Sequence, residues 1–527
     1  MSAKDFIDFY ELLGLPPNAS REDIERAFRT LARQYHPDLN PDPEAQERFR
    51  LLVQARETLL DTKRRALYDQ QWRHIRGRTF HPAPDQAEEP TIPIPEAPEA
   101  PAKTTTPETA PILEQEWYVE TLYSRPGPVE NRVPQRFYAL TRWRPPAPPT
   151  REPDRPLFLC LVVDRSTSMQ GRSLQILRRI LSQVLPTLSH QDIVALIAFD
   201  DRAELLVPPR PGNAPLVLQV LMRLRPQGAT EFMPPLRMAR ELLERRPRST
   251  LPWLLFFTDG RAYDQPVVLE WLPTLQKEHI LIDAFGLGTE WDEAFLERLA
   301  TSTGGTVTYI HAYDEGAKAL QERLVRLRRA YVFAAFLEWE LPPEIQVRTI
   351  VRMAPDIGYY PSGHNTIALG PLMPGEWWQI LWEWDIVHPL PLHHRIHLRS
   401  TIRAHLPDGR VWSHTRDFER PVVTAEDVRS YTPAREVIDA VQRLSWHRLQ
   451  EKARKALRER RPRKAQHYLQ ALAHHLTRAG EIQMAETVRQ ELNVLRDRAT
   501  LTAEGEKRLE YGTRRLLLPI LRRRNAV

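Results

Sequence analysis

The sequence predicts a multidomain protein of four folded parts: a small all-α helical hairpin, a doubly wound α/β unit, an antiparallel β-sandwich and a carboxyl-terminal α-helical region. Three observations point there. The length, 527 residues, exceeds what one hydrophobic core organises. Hydrophobic periodicity changes along the chain, from 3.6 to alternating strand and helix runs, then to two, then back to 3.6. Proline clusters separate several of these regimes, with nine prolines between His81 and Pro111 alone. An apolar fraction of 42% with 13 tryptophans allows sizeable cores and excludes wholesale disorder. A single cysteine, Cys160, excludes disulfide scaffolds and cysteine-based zinc modules. No stretch approaches the roughly 20 apolar residues that span a bilayer, and Met1 to Leu15 has no basic leader, so a soluble cytoplasmic protein is expected. The net charge of +6 is small for the length and does not by itself imply nucleic acid.

The expected parts are a helical module at 1–76, a Pro/Glu-rich linker at 77–113, strands at 114–156 that belong with the later sandwich, an α/β unit at 157–330, a β-sandwich at 331–424 and a basic helical region at 425–527. In the first, Ser20 can cap a helix whose apolar side is Ile24, Phe28, Leu31, Ala32 and Tyr35, with Arg26, Arg29 and Arg33 opposite. His36-Pro37-Asp38 follows, where proline ends the helix, and a second amphipathic helix carries Phe49, Leu52, Val53, Ala55, Arg56 and Leu59. Two antiparallel helices would hold the tripeptide at their tip. Apolar runs at Leu157–Val163, Ile193–Phe199, Leu254–Phe257 and Ile280–Phe285 alternate with amphipathic segments, the order of a doubly wound sheet. Period two returns between Tyr331 and Val423, with Trp378, Ile380, Trp382 and Trp384 on one side and Gln379, Glu383 and Asp385 on the other. Short runs at Trp117–Thr121 and Phe137–Thr141 look alike, which would make the α/β unit an insertion into the sandwich.

The amino-terminal arrangement, with Asp61 and Arg65-Ala66-Leu67-Tyr68-Asp69, resembles the J domain of DnaJ-type co-chaperones. The resemblance implies that His36, Pro37 and Asp38 contact a DnaK-type chaperone and trigger its ATP hydrolysis, while Arg26, Arg29 and Arg33 dock on its acidic surface. Neither a Gly/Phe-rich segment nor Cys-x-x-Cys repeats follow, so client choice must lie elsewhere in the chain.

The first strand of the α/β unit ends in Asp164-Arg165-Ser166-Thr167-Ser168, a good template for a hard cation, which takes oxygen ligands in an octahedron. Thr230, in Gly228-Ala229-Thr230-Glu231, and Asp259, in Thr258-Asp259-Gly260, can add a hydroxyl and a carboxylate from other strand ends, where ligands of open α/β sheets collect. Together this resembles the von Willebrand factor A domain with a metal-ion-dependent adhesion site. The family implies that Asp164, Ser166, Ser168, Thr230 and Asp259 hold Mg²⁺ directly or through water, leaving a position for a carboxylate of a protein partner. Ala229 and Glu231 depart from the usual pattern. No Walker loop, Gly-x-Ser-x-Gly elbow or set of further acids accompanies the site, so no catalysis is expected.

Three weaker features read as structural: His393, His394 and His397 as surface histidines, the alternating tryptophans as sandwich core, and Cys160 as a core residue. The stretch Arg448–Lys464 carries nine basic residues and two glutamates, and a solvated helix face is expected there ahead of a nucleic-acid surface. The reading is a non-enzymatic adaptor that brings a DnaK-type chaperone to a protein client. The alternatives are a magnesium-dependent assembly scaffold and a nucleic-acid tether through the basic carboxyl-terminal helices.

Overall fold

The computed structural model describes residues 8–17, 19–34, 43–60, 65, 68–69, 117–145, 154–212, 215–310, 313–360, 363, 365–406 and 408–518. They fall into two compact units, 1–96 and 97–527.

The first unit contains α1 (Phe9–Leu13), α2 (Arg21–Gln34) and α3 (Pro43–Leu60). Ser20 Oγ accepts the Asp23 N–H at 3.1 Å while the Asp23 carboxylate accepts from the Ser20 hydroxyl and amide, a reciprocal cap that fixes where α2 starts. Ile24, Phe28 and Ala32 of α2 are buried, as are Leu52, Ala55 and Leu59 of the neighbouring α3, which is the stripe the periodicity requires. The Arg-x-x-Tyr-Asp ending ties the unit together. The Arg65 guanidinium donates to the carbonyls of Pro17 (3.2 Å) and Ala19 (2.8 Å), and Tyr68 Oη accepts the buried Phe9 N–H at 2.7 Å. Tyr10 Oη accepts from Arg65 and donates to Asp69 at 2.7 Å.

In the second unit, β1 (Tyr118–Tyr123) and β2 (Gln135–Arg144) precede a six-stranded sheet made of β3 (Leu157–Asp164), β4 (Ile193–Phe199), β5 (Ala203–Pro211), β6 (Leu251–Thr258), β7 (Leu281–Leu287) and β8 (Val307–Ile310). Its order is β5-β4-β3-β6-β7-β8, all parallel except β5. The helices between are α4 (Arg172–Val184), α5 (Leu216–Arg223), α6 (Met233–Glu244), α7 (Gln265–Lys277), α8 (Glu293–Thr301) and α9 (Tyr313–Arg328). Along β3 the side chains alternate between two cores. Leu157, Leu159, Leu161 and Val163 pack with α4, α5 and α9, whereas Phe158, Cys160 and Val162 pack with α6, α7 and α8. Burial on both faces is why the strand reads as one unbroken apolar run. Cys160 lies fully inside the second core, where burial pushes its thiol far above the usual range.

The remaining strands are β9 (Val332–Glu340), β10 (Ile345–Ala354), β11 (Gly358–Tyr360), β12 (Thr366–Leu372), β13 (Trp378–Ile386), β14 (Arg395–His405) and β15 (Val411–Pro421). They form two antiparallel sheets, β1-β2-β13-β10-β11 and β12-β9-β14-β15. The strands before the α/β unit thus share a sheet with strands after it, with Trp143 opposite Trp378 and Phe137 opposite Trp384. Trp378, Ile380, Trp382 and Trp384 fill the space between the sheets, and the Trp143 and Trp378 rings stack at 4.8 Å. His393, His394 and His397 are exposed, with His397 Nδ1 3.2 Å from Glu419.

After α10 (Ala425–Ser430) come four longer helices, α11 (Arg435–Arg458), α12 (Pro462–Arg478), α13 (Ile482–Arg498) and α14 (Ala503–Arg515). Val437, Ala440 and Leu444 of α11 pack on Leu140, Val351 and Leu381, so β13 is covered on both faces. Glu383, on that outer face, is fully buried and ion-paired with Arg448. The solvated face expected for Arg448–Lys464 therefore needs correcting at Arg448 and at Arg454, which pairs with Glu510: helix docking draws both inward. Among the described residues no helix is long and apolar enough to cross a membrane.

Candidate functional site

At the carboxyl end of β3 the chain turns sharply, and local hydrogen bonds shape the turn. Asp164 is fully buried, with one carboxylate oxygen accepting the Ser166 N–H at 2.8 Å and the other the Thr258 hydroxyl at 2.6 Å. The Ser166 and Ser168 hydroxyl oxygens lie 2.9 Å apart, and Ser168 donates to Asp259 at 2.7 Å. Thr230 arrives from a third loop. A Cβ on Gly260 would stand 3.4 Å from Ser168 Oγ and 3.7 Å from Thr230 Oγ1, so both oxygens crowd over this glycine. Four of the five residues are linked in one hydrogen-bonded chain, and the fifth, Thr230, stands with Ser168 beside Gly260.

The loops are pinned from outside. Arg165 donates to Asp200 (3.0 Å) and Glu204 (2.8 Å), and its carbonyl accepts the Gln227 N–H at 2.7 Å. The Thr167 N–H donates to the Gly228 carbonyl at 3.2 Å, which joins the Asp-x-Ser-x-Ser turn to the threonine loop. Gly228 has φ +74°, and a Cβ there would press on Asp200 at 2.9 Å, so glycine is required twice over. Of the two departures, Ala229 is exposed and Glu231 is buried, its N–H donating to the Asp200 carbonyl at 2.8 Å. Thr258, whose hydroxyl donates to Asp164, and Ser173, close to Asp259, are supporting residues that the sequence reading missed. Their signals were a threonine directly before Asp259 and a serine in the first turn of α4, the helix that follows the Asp-x-Ser-x-Ser turn.

Burial pushes the Asp164 carboxyl up to about 7, with nearby Asp259 adding to the rise, and burial likewise raises Asp259. Ser168 is exposed and Thr230 half-buried, so the pair of acids lies beneath a mouth of hydroxyls. All five donors are oxygens, three of them neutral, a set that fits a hard divalent cation and not a thiophilic one. Among the described residues no group of three His, Cys, Asp or Glu could hold a metal, so hydroxyls are integral to any such site.

Of the amino-terminal candidates, Arg26 is exposed on α2, with Asp23 at 3.5 Å. His36, Pro37, Asp38 and Asp61 lie outside the described residues, as do the side chains of Arg29 and Arg33.

Comparison with known proteins defines the class. A DnaJ domain model matches residues 8–69, a von Willebrand factor type A domain model 159–261, and a model for the Sll0103-like, C-terminal alpha-helical domain 435–519. The chain therefore joins a J domain to a von Willebrand A domain, with a β-rich region and a carboxyl-terminal helical domain. Chaperone protein DnaJ of Dictyoglomus thermophilum is 54% identical over 63 residues, covering 12% of this chain and 16% of the relative. Chaperone protein DnaJ 2 of Thermus thermophilus is 49% identical over 69 residues, 13% of this chain and 24% of the relative. The chain thus spans less than a quarter of the length of either. The solved von Willebrand factor type A protein from Catenulispora acidiphila superposes with a TM-score of 0.61 at 14% identity, over 76% of this chain and 96% of that one. That coverage is more than the α/β unit alone could supply, so the fold shared with it includes more than the A domain.

Proposed function

We propose that the protein is a non-enzymatic co-chaperone adaptor of the cytoplasm. Its J domain recruits a DnaK-type chaperone and stimulates its ATPase through His36, Pro37 and Asp38, with Arg26, Arg29 and Arg33 as the docking face. Its A domain binds a protein client through Asp164, Ser166, Ser168, Thr230 and Asp259 in the presence of Mg²⁺. The observation that carries the second half is the convergence of three hydroxyls and two carboxylates from three separate loops. Bound there, Mg²⁺ would supply an electron-poor coordination position for a client carboxylate. Ser166, Ser168 and Thr230 keep the donor set largely neutral, Asp164 and Asp259 provide its charge, and Arg165 holds the turn in place.

Titration of the full chain with Mg²⁺ by calorimetry tests this half, in wild type and in Ser168→Ala. A single site that is lost or weakened at least ~10-fold in the variant is expected, because one oxygen donor and the bond that aims Asp259 disappear together. Equal binding by the two proteins, or none by a folded wild type, would overturn it.

A further inference from the structure

The nine basic residues of Arg448–Lys464 divide into two groups. Arg448 and Arg454 are internal, paired with Glu383 and Glu510. The other seven, Lys452, Lys455, Arg458, Arg460, Arg461, Arg463 and Lys464, are exposed at the corner where α11 turns into α12. Glu459 is the one acid in the stretch 452–464, and it is shared by Lys455 (4.0 Å) and Arg461 (3.1 Å). Among the described residues no carboxylate lies within ion-pair distance of the remaining five. Several exposed arginines elsewhere are paired instead: Arg395 meets Glu419, Arg403 meets Glu338 and Arg508 meets Glu504, each at 2.8 Å. A helix face kept merely soluble would interleave acids in the same way.

The backbone fixes where one of these cations stands. The corner closes with the Arg460 N–H on the Leu457 carbonyl (2.9 Å) and the Arg461 N–H on the Ala456 carbonyl (2.8 Å). This places Arg460 at the left-handed position, φ +56°. The next corner closes identically, Gly480 on Thr477 and Glu481 on Leu476, and there glycine takes the left-handed position at φ +78°. Arginine at such a position costs about 1 kcal/mol that glycine avoids. Ala499 takes the same conformation after α13, at φ +57°, so the backbone sets the cation at the tip of the corner without by itself marking it as functional. Tyr468 of α12, half-buried, presents its ring 6.0 Å from Lys452 Nζ, so the surface also offers an aromatic face among the charges.

We propose that the α11–α12 corner binds the phosphate backbone of nucleic acid, independently of sequence. A surface of nearly uniform positive charge complements a polymer of uniform negative charge; a protein partner's surface of mixed sign would leave several of these cations facing like charges. Four of the seven are arginines, whose planar fork pairs two donors with one phosphate. The inference stands apart from the client reading of the A domain, which involves none of these residues.

The test is fluorescence anisotropy of labelled 20-nucleotide single-stranded and 20-base-pair duplex DNA titrated with the full chain between 50 and 200 mM KCl. Polyglutamate serves as a second probe. Five phosphate contacts imply a log–log salt slope of about −3.5 to −4.5, a loss of roughly 100- to 500-fold over that range. Neutralising Arg458, Arg460, Arg463 and Lys464 together to Gln should reduce the slope by about 3 and weaken binding at 50 mM at least ~10-fold, with thermal stability unchanged because all four are exposed. Arg460→Gly separates binding from folding. It should stabilise the chain slightly while lowering the slope by about 1. No saturable binding by wild type at 50 mM KCl, or binding that the four-residue variant leaves intact, would overturn the proposal. So would polyglutamate binding as tight as DNA and equally sensitive to the variant, which would assign the corner to acidic proteins.

Discussion

Replacing Asp164 by Asn should have opposite effects on the metal-free protein and on its response to Mg²⁺. Burial raises the Asp164 carboxyl from its ordinary 3.8 to about 7. At about 1.4 kcal/mol per pH unit, the ionised carboxylate then costs the metal-free fold on the order of 4 kcal/mol above pH 7. The sign follows from proton counting. Between pH 3.8 and about 7 the folded state holds the proton more tightly than the unfolded chain, so this group's contribution to stability falls as pH rises through that window. Asparagine preserves the geometry, its carbonyl accepting the Ser166 N–H and its amide donating to the Thr258 hydroxyl, without the charge. Asp164→Asn is therefore expected to stabilise the metal-free protein at pH 8 by about 1–4 kcal/mol, roughly 2–4 °C in melting temperature per kcal/mol for a domain of this size. Wild type should gain about 2.7 kcal/mol from Mg²⁺ at a hundredfold excess over Kd, and the variant little. Thermal denaturation of both proteins with EDTA and with Mg²⁺ makes the comparison. A variant less stable than wild type in EDTA, or an equal Mg²⁺ shift in both, would refute the reasoning.

Other expectations are as direct. Arg514 of α14 is buried against Glu293 and Glu297 of α8, so Arg514→Ala should cost about 3–5 kcal/mol by leaving Glu297 without a cation among the described residues and Glu293 with only Arg454 at 3.9 Å, visible as a lower denaturation midpoint and faster proteolysis of the carboxyl-terminal helices. Tyr68→Phe should cost about 1–3 kcal/mol in the J domain, because the buried Phe9 N–H loses its acceptor; calorimetric unfolding of the chain would show that transition moving alone. Burial lowers His447, in α11, to about 4 from its usual 6.5, so its contribution to stability should decline as pH falls from about 6.5 to 4, where the unfolded chain binds the extra proton. A His447→Phe variant should flatten that part of the stability curve.

Much of this was legible from residue patterns because burial leaves periodic traces. The unbroken run of β3 marks a strand buried on both faces, and Trp378, Trp382 and Trp384 mark one sandwich core. The edge strand β5 escaped, since Pro208, Pro209 and Pro211 break any strand pattern and are tolerated only because one side of an edge needs no ladder bonds. The burial of Glu383 was also invisible. Its partner Arg448 lies 65 residues away, and an outward glutamate looks solvated until a helix covers it. Around the candidate site the five candidate residues were readable by spacing along the chain and by their resemblance to a known motif. The hydroxyls of Thr258 and Ser173 were not, because any serine or threonine can serve as a second layer and only the fold selects which.

The most direct test of the adaptor account is single-turnover ATP hydrolysis by a DnaK-type chaperone from the same organism, with full-length wild-type protein and with His36→Gln. The account predicts stimulation by wild type that the substitution abolishes. A folded wild type that leaves the rate unchanged, or a variant that stimulates as well, would contradict it.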